Sequence, residues 1–234
     1  LHTGMPSHMT VLPAPENTGI IFRRTDIEGQ PEIPASADYV TDTSRGTTIE
    51  KGNAKVCTIE HIMSALWSLG VDNAIIEIDA PETPIMDGSA KDFAETIKAT
   101  GLAKQNAARQ YYEVREPIEF NYPDKGSSIV IYPDSKFSVS VHVDYNSRVV
   151  NNQYATFSEE DDFANEIAPC RTFVFMHELE PLLAANLIKG GDLDNAIVVA
   201  ENEVSEKEVA RLAKVFNKAD IKITNGYVNN LQLR

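Results

Sequence analysis

From residue 59 to 69, apolar positions recur three and four apart, so Ile62, Leu66 and Leu69 share one face of a predicted helix. Thr58 is its predicted N-cap, and Gly70 stands just past its end, where a left-handed residue closes the last turn. The next run, "NAIIEID", is almost continuously apolar, as a strand covered on both faces would be. A turn at Asp87-Gly88 then leads to a second helix, with Ser89 as cap and Asp92 in the capping-box position. Phe93 and Ile97 share its face, and Gly101 ends it. Ahead of both helices, residues 8 to 26 read as a hairpin, two β-prone runs about the turn "PENTG". The stretch from 27 to 57 reads as polar and irregular.

The segment "LAKQNAARQ" is small, polar and without period, which places a domain boundary near residue 107 and divides the chain into 1–106 and 107–234. Beyond it, "YYEVREPIEF", "SSIVIYP" and "FSVSVHVDYN" alternate apolar and polar, as half-buried antiparallel strands do. Three short helices are predicted near 159–168, 178–188 and 206–218, the last opened by Ser205 with Glu208. The strands "RTFVF" and "NAIVVA" flank the middle helix.

Composition narrows the function. At 42% hydrophobic over 234 residues the chain can bury a proper core. Its apolar runs are far shorter than the roughly 20 residues that cross a bilayer. With 21 Lys and Arg against 35 Asp and Glu, the net charge of -14 repels polyanions, so nucleic acid is not expected as a partner. Arg23 and Arg24 form the densest basic pair, open to two readings, an anion site or a solvated strand end. Cys57 and Cys170 lie far apart with no CxxC pattern, which points to buried thiols and a cytoplasmic protein. The chain opens on Leu1 and closes on the strand-like "NNLQLR" without a cap, so a piece of a longer protein is expected.

The candidate chemistry lies in "CTIEH", where Glu60 and His61 occupy the first turn of the first helix. The positive end of the helix dipole favours a carboxylate and disfavours an imidazolium, by roughly 0.3 to 1 kcal/mol each. A charged Glu60 and a neutral His61 are the states required of a general base and of a metal ligand. A dipeptide alone does not make a site, because Glu is common in first turns and a lone His is more often structural. A hydrolytic zinc site also takes about three protein ligands and an open position. His2, His8, His142 and His177 form no HxxxH or HxxEH pair.

Six stretches in order extend the picture: "LHTG", "PAPENTGIIFRRTD", "TIEH", "LGVDNAIIEIDAPETPIMDGSA", "CRTFVFM" and "KGGDLDNAIVV". Together they resemble the UDP-3-O-acyl-N-acetylglucosamine deacetylases, zinc amidohydrolases of lipid A biosynthesis in Gram-negative bacteria. The resemblance implies an α+β fold of two domains, each layering helices on a mostly antiparallel sheet, with the active site between the layers. It also implies a βαβ insert at about 170–200 that takes the substrate's acyl chain. By the same resemblance His61 is a zinc ligand, Glu60 the general base, and Thr172 the hydroxyl that holds the oxyanion. Phe173, Phe175 and Met176 match an apolar wall beside the site, although core packing explains them too. Leu1, His2, Thr3 and Gly191 are expected near the substrate. Asp87 belongs to the family pattern and is read here as a turn former.

The substrate so implied is a UDP-linked acylated amino sugar, and the cofactor one Zn(II) per intact enzyme. The family's second zinc histidine and its aspartate come from an HKxxD-type motif that does not occur before Arg234. The chain as it stands is therefore expected to be inactive and to hold no stoichiometric zinc. The charged helix "SEKEVARLAKVFNKAD" resembles the longer variants that carry a fused 3-hydroxyacyl-carrier-protein dehydratase. The rival readings are a zinc amidohydrolase acting on another N-acyl sugar, and a non-catalytic module that binds a sugar nucleotide or an acyl chain.

Overall fold

The computed structural model describes residues 1–218 and 221–228. The N-terminal half runs β1 (Met9–Pro13), β2 (Ile20–Arg24), β3 (Glu32–Pro34), β4 (Val40–Asp42), β5 (Thr48–Lys51), β6 (Ala54–Val56), α1 (Glu60–Ser68), β7 (Ala74–Ile78) and α2 (Lys91–Thr100). One sheet has the order β1-β7-β2-β3 and a second the order β4-β5-β6, so the fold is mixed α+β.

The predicted hairpin is not one. Strand β7 lies between its two arms, antiparallel to β1 and parallel to β2. Burial decides this order, because Ala74, Ile76 and Ile78 share one core with Phe22 of β2, Ile62 and Leu66 of α1 and Phe93 of α2. Strand β7 is covered on one face only: Ile75 and Glu77 are half-buried, and Glu77 accepts from Arg23 at 3.0 Å. The stretch expected to be irregular holds β3 to β6, with Ile33, Ile49, Ala54 and Val56 in the same core. Strands of three or four residues are too short to display a period.

The arginine pair is used up inside this half. Arg23 donates to Glu32 and Glu77, and the buried Arg24 grips both oxygens of Asp26 and the Lys55 carbonyl. Neither guanidinium is left for an anion. Helix α2 starts at Lys91 with Ala90 in the cap position, one residue later than expected, and the Ser89 hydroxyl still accepts the Lys91 amide at 3.2 Å. Gly101 closes the helix at φ 85°.

The C-terminal half runs β8 (Ile118–Tyr122), β9 (Ser127–Ile131), β10 (Ser138–Asp144), β11 (Asn152–Ser158), α3 (Phe163–Glu166), β12 (Phe173–Phe175), α4 (Leu179–Ala184), β13 (Ile197–Val199), α5 (Glu206–Val215), β14 (Ile223–Thr224) and β15 (Tyr227–Val228). Strands β8 and β9 pair as one hairpin and β10 and β11 as another. The strand expected from Tyr111 begins only at Ile118, after Pro117, which has no amide to give a ladder. Every residue of β8 and β9 is exposed, against the expectation of half-burial. Strands β12 and β13 run parallel with α4 between them, a βαβ unit, and β15 joins β13 antiparallel. Ser205 caps α5 by accepting the Glu208 amide at 3.3 Å, as the sequence predicts. The strand-like run at 229–234 lies outside the described residues.

Two core clusters serve this half. Leu179, Leu193, Val198, Leu212 and Phe216 pack together in one, and Val150, Ile197 and Val199 in the other. Among the described residues no helix is long and apolar enough to cross a membrane.

Candidate active site

Three hydrogen bonds fix how the chain enters α1. The Cys57 amide donates to the Pro81 carbonyl at 2.9 Å, the Thr83 amide to the Cys57 carbonyl at 3.1 Å, and the Thr83 hydroxyl to the Thr58 carbonyl at 2.5 Å. Between them Thr58 takes φ 60°, a left-handed conformation that costs a β-branched residue on the order of 1 to 3 kcal/mol. Thr58 is not the N-cap. That position falls on Ile59, which has no side-chain cap, while the buried Thr58 hydroxyl donates to Glu82 Oε1 at 3.1 Å. The sharp turn places Glu60 and His61 in the first helical turn.

Glu60 does not swing freely there. Its Oε2 accepts the Thr47 amide at 2.9 Å, which leaves Oε1 beside Gly46, where a Cβ would stand 3.1 Å away. Burial pushes the His61 imidazole below its ordinary pKa, and the Glu60 and Asp87 charges oppose that only in part. The ring is therefore neutral near pH 7, with a nitrogen lone pair to offer.

Glu82, which carries no signal in the sequence beyond its two proline neighbours, is 2% exposed and fully hydrogen-bonded. Oε1 accepts the His2 amide at 2.8 Å as well as Thr58, and Oε2 accepts both the amide and the hydroxyl of Thr3 at 2.8 Å. Burial alone would raise its pKa. The His2 and Thr3 donors, helped by the charge of the Leu1 amino group 3.2 Å from Oε1, outweigh it and hold the carboxyl at about 2.

The Asp87-Gly88 turn forms as expected, with Asp87 Oδ1 accepting the Ser89 amide at 3.0 Å and the Ser89 hydroxyl at 2.6 Å. It also joins the two halves. The Thr172 amide donates to the Gly88 carbonyl at 2.7 Å, and the Ile197 amide to the Thr172 carbonyl at 2.9 Å. The neighbouring Arg171, another residue the sequence did not single out, donates to the Asp87 carbonyl at 2.6 Å and the Asp194 carbonyl at 2.5 Å. A Cβ on Gly88, at φ 85°, would sit 2.1 Å from the Asn195 carbonyl oxygen, so only glycine fits.

Glu60, His61 and Asp87 thus share one electrostatic neighbourhood, and Thr172 is bonded to the residue after Asp87. The other predicted residues divide. The Leu1 carbonyl accepts the Gly190 amide at 2.9 Å and the His2 carbonyl the Lys189 amide at 3.3 Å, so the opening segment is tied to the loop of the βαβ unit. His2 Nδ1 is buried and has no partner among the described residues. Gly191 donates to Ile188 within that loop. Phe173 and Phe175 meet edge to face at 5.4 Å and pack with Tyr145 and Val150, while Met176 packs against the Leu179 cluster. Cys57 and Cys170 are half-buried rather than buried. A cavity of about 1340 Å³ lies against β1, α1, α2 and the segment 101–110, and Glu60, His61 and Thr172 do not line it.

Among the described residues no group of three or more His, Cys, Asp or Glu could hold a metal ion. His61 is one donor where a hydrolytic zinc site takes about three, so the described residues do not by themselves fit zinc.

The Glu60–His61 pair thus lies near the Asp87-Gly88 turn, to which Thr172 of the other half is bonded. Residues 1–218 match the family model described as LpxC: UDP-3-O-acyl N-acetylglycosamine deacetylase. The chain is 45% identical over 234 residues to the bifunctional enzyme LpxC/FabZ of Porphyromonas gingivalis and 46% identical to that of Bacteroides thetaiotaomicron, covering 100% of this chain and 51% of each of those proteins. It is 41% identical over 224 residues to the UDP-3-O-acyl-N-acetylglucosamine deacetylase of Saccharophagus degradans, covering 94% of this chain and 73% of that protein. The chain belongs to the UDP-3-O-acyl-N-acetylglucosamine deacetylase family. It spans about half the length of the bifunctional relatives it matches.

Proposed function

We propose that the protein removes the N-acetyl group from a UDP-linked, 3-O-acylated N-acetylglucosamine, the committed step of lipid A synthesis. One observation carries the reading: a carboxylate oriented by the Thr47 amide stands beside an imidazole that burial keeps neutral, in one helical turn. Glu60 takes the proton of the attacking water as its oxygen bonds to the acetyl carbon. The Thr172 hydroxyl donates to the carbonyl oxygen that gains charge. The C–N bond then breaks, the amine takes up a proton and acetate leaves.

Zinc is the metal that the family resemblance implies, and His61 is the described side chain suited to donate to it. Leu1, His2, Thr3 and Gly191 are assigned to the substrate because the opening segment is bonded to the insert loop. Phe173, Phe175 and Met176 are assigned to an apolar wall on the resemblance, with packing as their observed role. The proposal includes two domains meeting near residue 107, each layering helices on a sheet; the clusters about Leu179 and Val150 belong wholly to the second half and support it, while Ala168 and Phe163 also pack into the core of the first half. The bifunctional relatives support a second catalytic domain in the gene product, which the resemblance makes a dehydratase. The family resemblance implies a cytoplasmic site of action.

The test is acetate release from UDP-3-O-acyl-N-acetylglucosamine by the full-length gene product purified with its metal. A product that leaves the acetamide intact and still binds the sugar nucleotide would leave only the binding-module reading.

A further inference from the structure

The turn before α1 and the loop of the βαβ unit are distant in sequence, yet both rest on one buried side chain. On one side Glu82 Oε1 accepts the hydroxyl of Thr58, two residues ahead of Glu60, and the Pro81 carbonyl with the amide and hydroxyl of Thr83 holds Cys57 and Thr58 through three further bonds. On the other side Glu82 accepts the His2 amide and both donors of Thr3. His2 and Leu1 in turn accept the amides of Lys189 and Gly190. Contact there is close: a Cβ on Gly4 would stand 2.8 Å from Lys189 Cβ, and one on Gly190 would stand 3.2 Å from Gly4 Cα. Four hydrogen-bond donors meet the two carboxylate oxygens, and the Leu1 amino group lies 3.2 Å from Oε1, so the acceptor capacity is filled. A neutral amide in its place would put an NH₂ group against donors it cannot accept.

We propose that Glu82 is a positioning residue, whose carboxylate fixes the spacing between the Glu60–His61 turn and the Lys189–Gly191 loop through Thr58 on one side and Leu1–Thr3 on the other. The inference rests on the deacetylase reading for its meaning, since that reading makes the first segment reactive and the second part of the acyl passage. Glu82 is buried at 2% exposure. It acts through the two segments it holds, so both should loosen together when it is changed. A residue that merely stabilised the fold would lower the melting temperature without changing turnover per folded molecule.

The experiment compares the full-length gene product with its Glu82→Gln variant by steady-state kinetics on UDP-3-O-acyl-N-acetylglucosamine of two acyl lengths, and by amide hydrogen exchange. The expected result is a kcat about 10- to 100-fold lower, as for a misplacement on the order of 1 Å, with the ratio of kcat/KM between the two acyl lengths altered. Exchange should quicken in both 57–61 and 188–191 and stay unchanged in α5. Exchange that quickens at only one of the two segments, or a kcat equal to wild type per folded molecule, overturns the inference. A wild-type protein that releases no acetate while the coupled exchange is present overturns the deacetylase reading and leaves the structural coupling standing. Where Glu82→Gln does not fold, Thr58→Val removes one donor of nearly the same shape and carries the same two readouts, with Thr58→Ser expected to restore both.

Discussion

The Thr47 amide donates to Glu60 Oε2 at 2.9 Å, so the carboxylate assigned as base is oriented by the backbone of another segment rather than by its own helix. The remaining oxygen is the one free to accept a proton. In the full-length protein, Glu60→Gln keeps the shape and the acceptor for Thr47 but removes the basic oxygen. The expected outcome is a loss in kcat on the order of 100-fold or more with KM little changed, measured as acetate release. Turnover near wild type would remove Glu60 from its role.

Thr172 is held at both its amide and its carbonyl, which leaves its hydroxyl as the variable group. Thr172→Val is expected to lower kcat by about 100-fold, the scale for one oxyanion donor, and Thr172→Ser to recover most of it. Equal effects of the two substitutions would show that shape rather than the hydroxyl matters.

Gly88 stands where the halves meet, with its φ at 85° and a Cβ position 2.1 Å from the Asn195 carbonyl oxygen. Gly88→Ala must push the 193–195 loop away or twist the turn, and either movement disturbs the Thr172 amide bond. A destabilisation of about 1 to 3 kcal/mol is expected, with a fall in kcat in the same variant, read by urea unfolding and by assay.

The pH dependence of stability follows from Glu82. Its folded pKa is about 2 against an ordinary 4.5, a depressed value, so its contribution is complete above about pH 4.5 and is lost as pH falls toward 2. The shift corresponds to about 3 kcal/mol. Urea unfolding of wild type and Glu82→Gln at pH 6, 4 and 3 should show the wild-type advantage shrinking toward low pH. An advantage independent of pH would mean that folding leaves the pKa of this carboxyl unshifted.

How much was legible in the sequence depends on the range of the forces involved. The face of Ile62 and Leu66, the Ser205 cap, the Gly101 stop and the Asp87-Ser89 turn were all read correctly, because each is settled within one or two turns of chain. The "RTFVF" and "NAIVVA" strands about a helix were read for the same reason. The hairpin at 8–26 was misread because the turn "PENTG" promises a pairing that a distant, more apolar strand took instead. Thr58 was misread as a cap because bonds to residues 81–83 hold it at φ 60°, one residue short of the cap position, with its hydroxyl donating to a buried carboxylate 24 residues away.

Of the candidate site, the sequence by itself determined the Glu60–His61 pair and its place at a helix start, since helix phase and the dipole are local properties of the chain. Thr172 it supplied only by likeness to a family. Tertiary structure alone decided that Glu82 would be a buried, fully hydrogen-bonded carboxylate, that Arg171 would span the Asp87 and Asp194 carbonyls, and that Gly88 would have room for no side chain. A buried charge survives only where several donors converge, and those donors come from residues 2, 3 and 58, which no pattern along the chain brings together.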